Sequence, residues 1–128
     1  MDTSPEMLGL ARRLLRPGAP LVLLATDPAC SGTEYASLRI GEPGAVYGPG
    51  EPFTVRLRRT DGSWAEMRNH ARPVDLLPAL LERAGFGEVV RHRPTFDEAL
   101  ADPDLVRSRP WTAERARPPL VVTTATAT

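Results

Sequence analysis

Apolar and polar residues change their spacing along this chain, and each change marks an element. Met7, Leu8, Ala11, Leu14 and Leu15 recur at helical spacing on one face. Ser4 suits an N-cap, Pro5 the first helical position, and Glu6 faces the positive end of the helix. Arg12, Arg13 and Arg16 crowd the last turns and Pro17-Gly18 stops the run, so a helix is predicted from Pro5 to Arg16. Leu21 to Thr26, LVLLAT, then shows no alternation at all. A strand apolar on both faces is expected to be covered on both, as in the interior of an α/β sheet. Ligands in such sheets sit beyond the carboxyl ends of the strands, which directs attention to Asp27-Pro28-Ala29.

From Ala29 to Pro52 periodicity disappears, and glycine, proline, Tyr35 and Tyr47 dominate. A loop longer than about fifteen residues reads either as an exposed insertion or as a flap. In the second case Tyr35 or Tyr47 would pack on a ligand at the sheet's carboxyl edge. Phe53 to Arg59 alternates, with Phe53, Val55 and Leu57 on one face and Thr54, Arg56 and Arg58 on the other. Asp61-Gly62 is a turn signal, and Trp64 to His70 returns as the second strand of a hairpin with one wet side. Trp64 reads as a packing residue beside the turn.

Val74 to Ala84 is the second helix, with Leu76, Leu77, Leu80 and Leu81 as its stripe. Pro73 could open it, but Pro78 would then sit in its interior at a cost of about 3 kcal/mol. A regular helix from Asp75, acting as N-cap, leaves Pro78 in the first turn, where its missing N–H matters little. Gly85 is expected as a left-handed cap, with Phe86 folding back. Glu88 to His92 forms a short strand. Thr95 and Glu98 form a capping box for a helix through Ala101. Asp102 to Arg117 reads as irregular, anchored by Trp111, before a last strand, Leu120 to Thr126.

A chain of 128 residues supports one domain with a core. Sixteen basic residues balance sixteen acidic ones, so no electrostatic case exists for nucleic acid or an anionic membrane. Cys30 is the only cysteine, which excludes an intrachain disulfide and suits a reducing, cytoplasmic setting. Arg12 to Arg16, the apolar run and Ala29-Cys30-Ser31 imitate a lipoprotein signal. The run is only about eight residues long, and Asp27 and Pro28 sit badly before a cleavage site. No segment is long enough to span a membrane.

No catalytic motif stands out. Ser31, His70 and Asp75 carry no local signature of a triad, and Cys30, His70 and His92 lack metal-ligand spacing. His70 reads first as a structural residue at a strand end. Gly41, Gly44, Gly48 and Gly50 lie in the insertion, not between a strand and a helix.

The order of elements nevertheless resembles a family. LARRLLRPGAPLVLL, DPA after the strand, DGSWAEMRNH, LLERAGFGEVV and the late PPLVV, in this order, resemble the carboxyl-terminal half of a class I S-adenosylmethionine-dependent methyltransferase. That resemblance implies a partial Rossmann-like α/β sheet with an inserted antiparallel hairpin. Family strand order is 3-2-1-4-5-7-6 with the seventh antiparallel, which makes Leu21–Thr26 strand five, 88–92 strand six and 120–126 strand seven. It also implies that the cofactor-binding strands, with their Gly-rich loop and ribose carboxylate, are not in this sequence. The chain is therefore expected to contribute the substrate side of a cleft for a small molecule, bounded by Asp27, Pro28, Tyr35, Tyr47 and His70. No S-adenosylmethionine binding is expected of the chain alone. The Leu21–Thr26 edge, with no charge or internal proline, is expected to self-associate or to meet a partner chain. A non-catalytic interaction module and a truncated gene product are the alternatives.

Overall fold

A computed structural model describes residues 4–71 and 74–128, and of Pro28 and Val74 only the backbone. The expectation for Pro73 lies outside the described residues. Helix α1 spans Pro5–Leu14, with the Ser4 side chain accepting from the Met7 N–H at 3.2 Å. It ends earlier than the predicted Arg16, because the Leu15 N–H turns back to the Arg12 carbonyl. Arg12 does more than offset a dipole: its guanidinium donates to the carbonyls of Leu15, Gly85 and Thr128. It thereby ties the end of α1 to the cap of the second helix and to the chain end.

Among the described residues, six strands form two sheets. In the first, β1 (Pro20–Thr26), β6 (Leu120–Ala127) and β5 (Phe86–His92) lie in the order β1-β6-β5, with β6 antiparallel to both neighbours. Leu8 of α1, Leu77 and Leu81 of helix α2 (Leu77–Ala84), Leu23, Phe86, Ala125 and Ala127 make its core. The other face corrects the expectation that β1 is covered on both sides. Val22 is 60% and Leu24 51% exposed, because the described helices pack on one face only. One edge of β1 is also open, since β6 is its sole strand partner among the described residues.

The second sheet is a meander of β2 (Leu38–Ile40), β3 (Pro52–Arg58) and β4 (Trp64–His70). The alternating pattern of β3 and β4 forms the expected hairpin, with Val55 opposite Met67 and Leu57 opposite Ala65. The third strand corrects the reading of 29–52 as wholly aperiodic. At three residues, β2 is too short for a period to declare itself. It is set up by turns that contain Gly32 and Gly41, both at positive φ. At Gly41 a side chain would also meet the Tyr47 ring, at 2.7 Å from Cε2, so the residue is needed for space as well as conformation.

Other departures are local. The regular part of α2 starts at Leu77, two residues later than predicted, after a 3-10 turn over Val74–Leu76. Pro78 does fall in the first turn, but Asp75 does not cap the helix and instead pairs with Arg91 at 3.1 Å. Leu76 is consequently 51% exposed and leaves the stripe. Gly85 takes the left-handed cap at φ 99°, and Phe86 is buried behind it. β5 already begins at Phe86, with an irregular register between Gly87 and Val90 where Glu88 has φ 51°. The Thr95–Glu98 capping box forms, but helix α3 covers only Phe96–Ala99. Within 102–117, expected to be irregular, lie two more short helices, α4 (Pro103–Ser108, capped by Asp102) and α5 (Thr112–Ala116). Trp111 anchors this segment by packing on Phe96 and donating to the Leu105 carbonyl at 3.0 Å.

Candidate functional site

The apolar face of the meander looks across a cavity of about 680 Å³ at the carboxyl end of β1. Leu23, Leu24, Ala25 and Thr26 supply one wall, and Phe53, Val55, Leu57 and Met67 supply the other. Tyr47, Asn69, His70, Ser31 and Thr26 give the lining its polar groups, and among the described residues no Asp, Glu or Arg side chain lines it. This is a pocket of ordinary ligand-binding size, mostly apolar with a few polar groups to orient a guest.

Tyr47 is held from two sides. Its hydroxyl accepts from the Glu42 N–H at 3.0 Å, and its ring packs on Phe53 with centroids 5.4 Å apart. The 42–47 turn is thereby folded against β3. His70 ends β4, opposite Pro52, and is among the more exposed lining residues. Of the five residues singled out from the sequence, the Pro28 side chain lies outside what is described, and of the other four the cavity brings together Tyr47 and His70.

Asp27 and Tyr35 are placed elsewhere. Asp27 is buried at 7% exposure; one carboxylate oxygen accepts from the Ala29 N–H at 3.0 Å and the other meets Arg93. It closes the 3-10 turn over Pro28–Cys30 and locks the exit of β1 to the exit of β5. Thr26 and Ala29, on either side of it, do line the cavity with His70. Tyr35 is 1% exposed and does not line the cavity. It sits in a second core with Cys30, Leu38 and Ile40, and its hydroxyl donates to the Arg117 carbonyl at 2.7 Å. Burial pushes its phenol well above the usual tyrosine range, and the neighbouring Cys30 adds to the shift. Tyr35 is thus a bolt between the meander and the approach to β6, not a surface for a ligand.

Sequence reasoning missed Arg93 and, more consequentially, Glu114. Glu114 is 5% exposed on α5, and its Oε1 accepts from the backbone N–H groups of Ala36 and Ser37 at 2.5 and 3.3 Å. Its Oε2 is buried with no hydrogen-bond partner among the described residues. No pattern signals a pairing across about eighty residues of chain. Asn69 and Met67 were visible as part of an alternating strand, but not what that strand would face.

No family profile matches the chain. A curated relative, the N-demethylindolmycin N-methyltransferase of Streptomyces griseus, is 44% identical over 94 residues, 73% of this chain and 39% of that protein. The chain is related to the methyltransferases. Solved structures agree at the level of the fold. The CcbJ methyltransferase of Streptomyces caelestis matches with a TM-score of 0.52 and 17% identity over 96% of this chain and 49% of that one. An S-adenosylmethionine-dependent methyltransferase from Mesorhizobium loti matches with a TM-score of 0.50 and 18% identity over 98% of this chain and 56% of that one. The chain therefore spans between two fifths and somewhat over half of the proteins it resembles. No described helix is long and apolar enough to cross a membrane.

Proposed function

We propose that this chain forms the methyl-acceptor side of a class I S-adenosylmethionine-dependent methyltransferase, holding a small, uncharged, largely apolar molecule. The observation that carries the reading is the cavity between the carboxyl end of β1 and the apolar face of β3 and β4. On this reading β1, β5 and β6 are strands five, six and seven of the family sheet, which the order β1-β6-β5 and the antiparallel β6 support. The Streptomyces griseus relative is named for methylating a nitrogen of N-demethylindolmycin, so a nitrogen is the acceptor atom proposed here. Tyr47, Asn69 and His70 are the polar groups that would orient it, and the apolar walls would exclude water.

Cofactor binding would come from outside these residues. The family implies a glycine-rich turn between a strand and a helix, and a strand-end carboxylate free for ribose hydroxyls. The positive-φ glycines Gly32, Gly41, Gly44 and Gly50 instead lie around β2 and ahead of β3. Asp27 is already committed to Ala29 and Arg93. These residues do not fit the cofactor by themselves, and the chain alone would be inactive. We further propose that the remainder of the methyltransferase sheet pairs with the open edge of β1 and covers the face on which Val22 and Leu24 are exposed. A cytoplasmic setting accords with the single, buried Cys30.

Titration calorimetry separates the parts of this proposal. N-demethylindolmycin is expected to bind the chain, and S-adenosylmethionine is not. Tight binding of the cofactor with none of the acceptor would reverse the assignment. Sedimentation velocity tests the edge: a sharply melting monomer at every concentration would mean that β1 needs no partner, and self-association would mean that a second copy takes its place.

A further inference from the structure

The wet face of the meander carries cations in ordered rows. Residues of one face lie opposite one another across the strands, and successive rows on that face are two residues apart, about 7 Å. In the first row Arg58 lies opposite Trp64. In the second, Arg56 lies between Arg39 and Glu66, and in the third Arg68 lies opposite Thr54. Counting strand residues, each row holds one unbalanced positive charge. Arg56 is engaged by Glu66 at 2.9 Å, and Glu42, on the exposed loop after β2, approaches it at 3.8 Å. Arg58 and Arg68 have no carboxylate partner among the described residues.

Two features suit this face to carboxylates. Arg39 and Arg56 are direct cross-strand neighbours, an arrangement of like charges that destabilises a sheet unless anions offset it. The guanidinium groups of Arg39 and Arg58 both lie by the Trp64 ring, at 5.1 and 5.8 Å from its centroid. Such packing supports a guanidinium; Nη1 of Arg39 donates to the Tyr35 and Leu38 carbonyls, so it is the Arg58 edge that is left for forked hydrogen bonds to a carboxylate. The chain has no net charge to attract a nucleic acid from a distance. An extended peptide, by contrast, repeats its side chains on one face every second residue, at the spacing of the rows.

We infer that the outer face of β2-β3-β4 is a docking surface for an extended, carboxylate-rich segment of a protein partner, its acidic residues at alternate positions matched to the Arg58, Arg39–Arg56 and Arg68 rows. This surface lies on the face of the meander opposite the cavity and does not depend on what the cavity holds. Fluorescence anisotropy with a labelled peptide carrying glutamate at alternate positions tests it directly. The full chain binds that peptide, and added salt weakens the complex. The paired change Arg58→Glu and Arg68→Glu weakens it by about ten-fold or more, while Glu42→Gln strengthens it. Circular dichroism confirms that these exposed substitutions leave the fold intact. No binding at low salt, an equal loss from Arg13→Glu on α1, or equal affinity for a peptide with the same glutamates in one block would overturn the inference. Tighter binding of a single-stranded oligonucleotide than of the peptide would assign the surface to nucleic acid instead.

Discussion

The two sheets are held by different means. Around β1-β6-β5, apolar side chains do the work: Leu8, Leu23, Leu77, Leu81 and Phe86 interlock between two helices and the strands. The meander has a smaller core of Cys30, Tyr35, Leu38 and Ile40. It is joined to the rest by polar contacts of long sequence separation, Tyr35 to Arg117 and Glu114 to Ala36 and Ser37. Apolar burial is non-directional and tolerates small shifts, whereas a buried hydrogen bond fixes one geometry and costs energy if half of it is lost. The first sheet is therefore the stable platform, and the second is set at a defined place over it, with the cavity between them.

Substitutions sharpen this contrast. Leu81→Ala, at a fully buried position, is expected to cost about 2–5 kcal/mol and to be read as a lower midpoint in chemical denaturation. A loss well under that range would mean that the helix-packed core is not the platform. Glu114→Ala leaves two backbone N–H groups without their acceptor, at about 1–3 kcal/mol. Its effect should be local: amide exchange speeds up over 34–40 while β1 and β6 keep their protection. Uniform acceleration across both sheets would erase the distinction. Tyr35→Phe removes one donor and is expected to cost about 1 kcal/mol, again centred on the meander.

The smallest effect lies outside both cores. Glu98 accepts from His92 and from Thr95, and these bonds hold its carboxyl below the usual glutamate range. A depressed carboxyl contributes stability above its unfolded pKa, and that contribution is lost as pH falls through the folded value. Carbon NMR titration should therefore find Glu98 titrating on the acid side of an ordinary glutamate, and His92→Gln should move it back up. No movement would mean that the His92 contact does not form in solution.

How much of this was legible in the sequence follows the same division. Helix α1, β1, the β3–β4 pair, the Gly85 cap and the Thr95–Glu98 box announce themselves because each is encoded within a few neighbouring residues. β2 is too short to show a period, and α4 and α5 are single turns or little more within a polar segment. Whether LVLLAT is covered on both faces depends on what packs against it, which no property of the strand decides. The same limit applies to the site. Tyr47 was singled out as an aromatic of the insertion and His70 as the end of the hairpin, and both line the cavity. Tyr35 resembled Tyr47 in every local respect, yet the Arg117 carbonyl, far along the chain, draws it into a core. Asp27 stood where ligands gather, and its own backbone turn and Arg93 claim it.

The space between the two sheets is the proposed seat of an acceptor molecule. NMR titration of the chain with N-demethylindolmycin tests it most directly. Shifts are expected at the Met67 methyl, the Tyr47 and His70 rings and the amides of Thr26 and Ala29, with α1 and α4 unmoved. Shifts confined to other surfaces, or none at concentrations that saturate a related full-length methyltransferase, would contradict it.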